Sequence, residues 1–540
     1  MKRVSVWRSR ERDVSDFEVM GCRGDERFGS MPGLLRLAAE KYGDSIFIEE
    51  GNQRLSFRRT LENVEQACAS FMHLGLLPGD RVAIWAPNRA DWIIAALGAQ
   101  CAGAALVPIN TRYKGQEAAD ILCRSQAKVL FTVGGFLGSN YLSMLDECEP
   151  LSELSCRVLF DGEAEDALSW ERFLALGQGV DAGRVAQRMD AISGDTICDI
   201  LFTSGTTGHP KGVLCSHAQT LRVFRDWCEV VGLRSGDRYL IAMPFFHAFG
   251  YKAGWLACLM MGATVLPEPI FDAERLLRRI GRDRVSVLPG PPALYQSILA
   301  RQDLQQFDLT TLRLAVTGAA VIPQLLIEEM QQRLGFETVI TGYGLTETTG
   351  VATMCRDGDD ASLIASTSGR ALPGMEVIIE RADGSRAEVG EAGEIMLRGY
   401  NVMLAYLDDP EATASSINSQ GFLHTGDIGS LDAAGNLRIT DRKKDMVIVG
   451  GFNVYPAEVE RMLCTHSAIA QVAVIGCQHE RLGEVCHAFL VLRDGAELQL
   501  DSLSAWCRER IANFKVPRYF SIRESLPMNA SGKVQKYKLR

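Results

Sequence analysis

Between Arg81 and Ile109 the sequence reads RVAIWAPNRADWIIAALGAQCAGAALVPI: an apolar run of strand length, a stretch of helix length, then a second apolar run. RVAIWAP is expected to form a strand, NRADWIIAALGAQCAG from Asn88 a helix with Asn at its start and Gly at its end, and AALVPI the next strand. Strands joined through a helix lie parallel, and a sheet made of them needs helices on its faces. The same alternation recurs in KVLFTV, SVLPG and RLAVTGAA. The expected fold class is therefore α/β, a large N-terminal domain of mixed or parallel sheets covered by helices. Residues 151–194 read as a weakly patterned connection, and neither an internal repeat nor a long low-complexity tract is present.

A chain of 540 residues exceeds what one ordinary core accommodates, so a smaller companion domain is expected. The texture changes near Leu431. NLRITDRKKDMVIVGGFNVYPAEVERML gives a strand, a charged turn, a second strand, two glycines and an amphipathic helix starting near Pro456. The stretch beyond Leu431, about a hundred residues, suffices for an α+β domain. The division expected is 1–441 for the large domain, 442–444 for a hinge in the charged turn, and 445–540 for the small domain.

Hydrophobic residues make up 47% and charged residues 23%, the balance of a soluble globular protein, and the formal charge of -10 argues against a broad footprint for nucleic acid or an anionic membrane. Local basic patches stay open. Fifteen cysteines are too sparse for a disulfide scaffold and show no C-x-x-C pairing, so a reducing cytoplasm is the expected setting. The first residues are charged but never enter an apolar signal core, which argues against secretion. Trp92 to Ile109 is the most membrane-like stretch; Gln100 and Pro108 interrupt it, and it reads as a buried helix followed by a strand.

Behind an apolar run stands LFTSGTTGHPKGVL, Leu201 to Leu214. Glycines such as Gly205 and Gly208 let successive amides turn inward as an anion nest, while Thr203, Ser204, Thr206 and Thr207 add hydroxyl donors and Lys211 a mobile positive charge. That is chemistry for phosphate oxygens. No Gly-Lys-Ser/Thr closes the loop, so it is not a Walker A motif. In ITGYGLTETTG, Thr346 and Glu347 place a hydroxyl beside a carboxylate, a pair suited to phosphate and Mg²⁺ or equally to a helix start. In GFLHTGDIG, Asp427 could accept two ribose hydroxyls or cap a tight turn, and Asp441 and Arg442 come after it. His247 and His424 lack zinc spacing, and no G-x-S-x-G elbow marks a hydrolase. Lys533 lies in a basic tail, LPMNASGKVQKYKLR, which composition alone reads as solvated.

Taken in order, LFTSGTTGHPKGV, GYGLTET, YLDDPEAT, GFLHTGDIG, ITDRKKDMVIVGGFNVYPAEVE and NASGKVQK resemble the adenylate-forming acyl-CoA synthetase superfamily, from about Gly29 to Arg540. The resemblance implies ATP, Mg²⁺ and coenzyme A, with a small-molecule carboxylic acid as partner. It implies that the loop from Thr203 to Lys211 grips the β- and γ-phosphates, that Thr346 contacts phosphate and Glu347 the metal, and that Asp427 and Arg442 hold the ribose. Lys533 matches the lysine that reaches the carboxylate and α-phosphate during adenylation, and Lys444 falls at the hinge of a mobile C-terminal domain. Gly450 and Gly451 match the small residues facing the pantetheine tunnel.

The acid pocket is expected to draw on His247 and Lys252 in PFFHAFGYKAG, Pro289 and Tyr295 in LPGPPALYQS, and Gly318, Ala319 and Ala320 in VTGAA; for Lys252 the other reading is an ammonium that snorkels to solvent. The runs DILFTSGTTGHPKGVLCSH, PFFHAFGYKAGWLACLMMGATVLP and VSVLPGPPALYQSIL resemble steroid-catabolic ligases for the propanoate side chain of a bicyclic C/D-ring fragment. That implies a compact keto-bearing ring acid, with medium-chain fatty, alicyclic or aromatic acids as the alternative. Loading of a carrier protein and a non-catalytic nucleotide-binding regulator are the other classes weighed. The regulator is disfavoured by the presence of Lys211, Glu347, Asp427, Arg442 and Lys533, while no integral membrane segment is expected and homodimerisation stays open.

Overall fold

The computed structural model describes residues 28–203, 210–318, 322–442, 445, 447–449, 452–479, 482–511, 513–529 and 533–539. Its largest sheet has eight strands in the order Ala405–Tyr406, Lys211–Ser216, Ile197–Thr203, Ala105–Pro108, Arg81–Trp85, Ala127–Thr132, Cys156–Leu159 and Leu168–Ser169. Pairing is parallel from Ile197–Thr203 to Leu168–Ser169. Lys211–Ser216 runs antiparallel to both of its neighbours. The helix Ala90–Cys101 forms the crossover between two of these strands and is buried along its length except at Asp91. Among the described residues no helix is long and apolar enough to cross a membrane.

Asn88 departs from the expected helix start. The helix begins at Ala90 with no side-chain cap. The Asn88 amide instead donates to the carbonyls of Ile241, Met243 and Glu268 at 3.1, 2.8 and 3.1 Å, and its oxygen accepts the Phe245 N–H at 2.7 Å. A buried amide with several partners is worth more to the fold than a solvated cap. It ties the first sheet to a second one.

That second layer joins Arg238–Ile241, Thr264–Pro267, Ile46–Glu50 and Gln53–Ser56 to a sheet of Leu314–Gly318, Thr338–Tyr343, Thr353–Met354 and Arg370–Ala371. SVLPG supplies only Val287 to the joint, bridging Tyr239 and Leu314. A four-stranded antiparallel sheet of Glu376–Glu380, Gly393–Arg398, Leu423–Leu431 and Leu437–Arg442 comes next. Further along, Val447, Val459, Val474, Leu490 and Leu503 belong to a separate core in which the helices Pro456–Cys464 and Leu500–Arg508 flank an antiparallel pair, Ile469–His479 with Gly483–Leu492. The architecture is a large mixed α/β domain succeeded by a smaller α+β one.

Residues 151–194 are more ordered than their pattern suggests. They contain two short strands and the helices Trp170–Leu176 and Ala182–Asp190. Trp170 and Phe173 stack at 5.5 Å and meet the Phe131 ring edge-on at 6.0 and 5.0 Å. Elements this short carry too few turns for a periodic signal, so aromatic packing defines them.

Candidate active site

Several of the candidate residues lie in or just beyond strands: Thr203 and Lys211 at the facing ends of a hairpin, Thr346 and Glu347 just past Thr338–Tyr343, and Asp427 within Leu423–Leu431. Ile197–Thr203 and Lys211–Ser216 form a hairpin whose last register pair is Thr203 with Lys211; Ser204, Gly205, Thr206, Thr207 and Gly208 between them lie outside the described residues. The Lys211 ammonium sits 4.8 Å from the centre of the Tyr406 ring, a cation–π contact that gives the lysine a preferred direction. Tyr406 also donates its hydroxyl to Oε1 of Glu347 at 2.9 Å. Burial and the neighbouring carboxylate raise the Tyr406 hydroxyl above its ordinary pKa, keeping it a donor.

Glu347 belongs to a single 3₁₀ turn, Thr346–Thr348, closed by the Thr348 N–H donating to the Leu345 carbonyl at 3.0 Å and capped by the Leu345 N–H donating to the Thr348 hydroxyl at 2.9 Å. The turn is reached from the strand Thr338–Tyr343 through Gly344, where an added Cβ would meet the Gly350 carbonyl oxygen at 2.4 Å. Only glycine permits that approach. Met403 donates its N–H to the Glu347 carbonyl at 2.8 Å and Thr349 its hydroxyl to the Asn401 carbonyl at 2.7 Å, so segment 401–406 backs the turn. The half-buried Thr346 hydroxyl and Glu347 carboxylate are hard oxygen donors. They fit a divalent cation of the Mg²⁺ type, which is commonly held by one or two carboxylates together with substrate phosphates.

Asp427 does not cap a tight turn. It lies within the strand Leu423–Leu431, 4% exposed, and its Oδ2 accepts the Tyr343 hydroxyl at 2.6 Å. Its partner in the adjoining antiparallel strand is Arg442. Two residues about fifteen apart in sequence thus stand side by side, next to a tyrosine from the strand that leads to Thr346 and Glu347. His424 lies 3.6 Å from Glu394, whose other oxygen accepts the Gly426 N–H at 3.2 Å.

His247 precedes the short helical turn Ala248–Gly250, and its Nδ1 accepts the Phe249 N–H at 3.3 Å. Solvent reaches the ring, yet the protein around the cleft desolvates it, and the positive charge of Lys533 adds to that effect; together they lower its pKa to about 4. The imidazole is therefore neutral at pH 7.

Two pocket assignments need correction. Tyr295 is fully enclosed and donates its hydroxyl to the carbonyl of Leu288 at 2.8 Å, so it braces the wall behind Pro289 without offering a group to a ligand. Lys252 neither meets a ligand nor snorkels: it has no exposed surface, and its ammonium lies 2.9 Å from Asp199. Pro289 is buried along the same wall, and Gly318 ends its strand beside Gly342. Ala319, Ala320, Lys444, Gly450 and Gly451 lie outside the described residues. Sequence reading missed Tyr343 and Tyr406, although both lie in or beside the motif runs GYGLTET and YLDDPEAT.

Residues 35–407 match the AMP-binding enzyme family and residues 458–533 the AMP-binding enzyme C-terminal domain. The chain belongs to the AMP-binding enzyme family. It is an AMP-forming acyl-CoA synthetase, an ATP-dependent acid:CoA ligase that works through an acyl adenylate. It is similar to 3-[(3aS,4S,7aS)-7a-methyl-1,5-dioxo-octahydro-1H-inden-4-yl]propanoyl:CoA ligases from Rhodococcus jostii (strain RHA1) and Mycobacterium tuberculosis (strain ATCC 25618 / H37Rv). The first is 46% identical over 514 residues, covering 94% of this chain and 98% of the relative. The second is 48% identical over 512 residues, covering 95% and 98%. Among solved structures, the anthranilate CoA ligase AuaEII in complex with anthranoyl-AMP superposes on this synthetase with a TM-score of 0.85 at 26% identity, covering 95% of this chain and 97% of that one.

Proposed function

We propose that this synthetase activates the propanoate side chain of a bicyclic, keto-bearing C/D-ring fragment derived from a steroid. The observation that carries the proposal is 46–48% identity, over nearly the whole length, to two ligases named for such an acid.

In the adenylation step a carboxylate oxygen attacks the α-phosphorus, the bond from that phosphorus to the bridging oxygen breaks, and pyrophosphate leaves. The loop from Thr203 to Lys211 holds the β- and γ-phosphates, with Lys211 directed by Tyr406 and Thr346 contacting phosphate. Asp427 and Arg442 grip the ribose, and Lys533 neutralises charge between carboxylate and α-phosphate. Glu347 and Thr346 would hold Mg²⁺, which supplies charge neutralisation on the triphosphate when bound. In the second step the thiol sulfur of coenzyme A bonds to the acyl carbon, loses its proton, and AMP departs with the electrons of the broken anhydride bond. The hinge at 442–444, with Lys444 at its end, turns the domain of residues 445–540 so that Gly450 and Gly451 leave room for pantetheine. The described cysteines are free thiols, which suits a reducing cytoplasm.

Thioester formation across a panel of acids, compared by kcat/KM, tests the substrate. The bicyclic propanoate is expected to exceed octanoate by about tenfold or more, because cavity shape separates acids of similar apolar area. Faster turnover of octanoate or palmitate would sink the steroid assignment and leave the ligase chemistry standing; preference for benzoate-like or cyclohexane acids would retain the compact pocket but not the pathway. A second expectation concerns Glu347→Gln: adenylation slows by roughly tenfold or more, and the magnesium titration midpoint moves upward. An unchanged titration would remove Glu347 from the metal site.

A further inference from the structure

Behind the hairpin that leads into the phosphate loop lies a polar cluster with no exposed surface. Lys252 Nζ is 2.9 Å from Asp199 Oδ1 and 3.3 Å from the Thr220 hydroxyl. Tyr251, the preceding residue, directs its hydroxyl to Asp199 Oδ2 at 3.5 Å and accepts the Gln100 amide at 2.7 Å. Cys198 donates its thiol to Asp199 Oδ2 at 3.0 Å. Burial alone would lower the Lys252 pKa, but the adjacent Asp199 carboxylate outweighs it and raises the group above its ordinary value, so the ammonium keeps its proton.

A buried ion pair seldom stabilises a fold more than apolar residues of the same volume would. What this one does is join two functional segments. Asp199 lies on the strand that ends at Thr203. Tyr251 and Lys252 open the π-helical segment Tyr251–Leu256, whose Gly254 has φ -97 and ψ -105, outside helical values. Gly250, just before it, admits no side chain, since a Cβ would meet the Pro244 carbonyl oxygen at 2.2 Å. Tyr251 N–H also bonds the His247 carbonyl at 2.9 Å, so His247 moves with the segment. A segment this irregular takes its position from tertiary anchors, and two successive side chains converge on one carboxylate.

We infer that Asp199 and Lys252 are a positioning pair for the acid substrate, fixing the His247 segment against the strand that carries the phosphate loop. The inference rests on the assignment of His247 to the acid pocket. The pair sets the distance between the acid and triphosphate ends of the cleft without touching either ligand.

The test measures acid-dependent pyrophosphate release and thermal melting on the full chain, using whichever panel acid the wild type turns over best. Lys252→Met alone leaves the Asp199 carboxylate without its counter-ion and should melt well below wild type. Asp199→Asn combined with Lys252→Met removes both charges at near-constant volume. It should recover most of the melting temperature yet keep an acid KM raised about tenfold, with the ATP KM within about twofold of wild type. Asp199→Glu, which keeps both charges but displaces the segment by one methylene, should raise the acid KM several-fold and serves if the double variant does not fold. A wild-type acid KM in the double variant, or in Asp199→Glu when that variant is the one measured, overturns the inference, as does an equal rise for acid and ATP. His247→Ala is the separate control: a wild-type acid KM there sinks the pocket assignment on which the inference rests.

Discussion

Lys533→Ala is expected to slow acid-dependent pyrophosphate release by about 10²- to 10³-fold, the usual effect of deleting one group that stabilises developing charge. Thioester formation from supplied acyl adenylate and coenzyme A should stay within a few-fold of wild type. The lysine is not on a loose tail. Its backbone N–H donates to the Asn529 side chain and its carbonyl accepts the Asn529 N–H, both at 2.8 Å. Leu526 and Val534 on either side pack with Ala473, Ile475 and Phe489, and Lys536 pairs with Glu460 at 2.8 Å. The backbone of Lys533 is therefore anchored to the small domain. Removing the side chain beyond Cβ leaves those contacts intact. Rapid-quench measurement of the two half-reactions separates the outcomes, and equal losses in both would contradict a lysine that serves adenylation alone.

Asp427→Ala is expected to lower kcat/KM for ATP by about a hundredfold, mostly through KM, because a buried carboxylate that takes both ribose hydroxyls is a strong acceptor. Tyr343→Phe supplies the comparison. It removes the 2.6 Å hydroxyl contact to Asp427 but leaves the carboxylate in place, so its ATP KM should rise far less. The acid KM should change little in either variant. ATP titration with pyrophosphate readout decides the matter: an Asp427→Ala enzyme with a normal ATP KM would mean that the aspartate serves only to seat Tyr343.

The candidate site could be proposed from sequence because its parts are runs of residues with their own chemistry. The glycine- and hydroxyl-rich loop, the Thr346–Glu347 pair and the Asp427 segment can each be read locally, and family order fixes their relation. What could not be read locally depends on partners far along the chain. Asn88 looks like a helix start, yet its amide is claimed by carbonyls of residues 241–268. Lys252 looks like a surface or ligand-facing lysine, yet Asp199 takes it inside. One signal was present for the latter. ICDILF is an otherwise apolar run of strand length, and a carboxylate in its middle requires a buried cation.

The hydrogen bonds that close the large domain also bear on its synthesis. Asn88 reaches Glu268 across 180 residues, His217 receives the Met31 N–H across 186, and Gln219 donates to the Val402 carbonyl across 183. Such separations make folding slow, since chain entropy is lost long before the contacts that repay it exist. The first two ties wait for residues 217 and 268 to emerge from the ribosome, and the third for residue 402. Until then the parallel sheet stands with its outer strand at Ile197–Thr203 or Lys211–Ser216, lacking the Ala405–Tyr406 strand that completes it. An open edge of that kind pairs readily with another nascent chain, so yield on expression should depend on translation speed and chaperone supply more than on the stability of the finished enzyme.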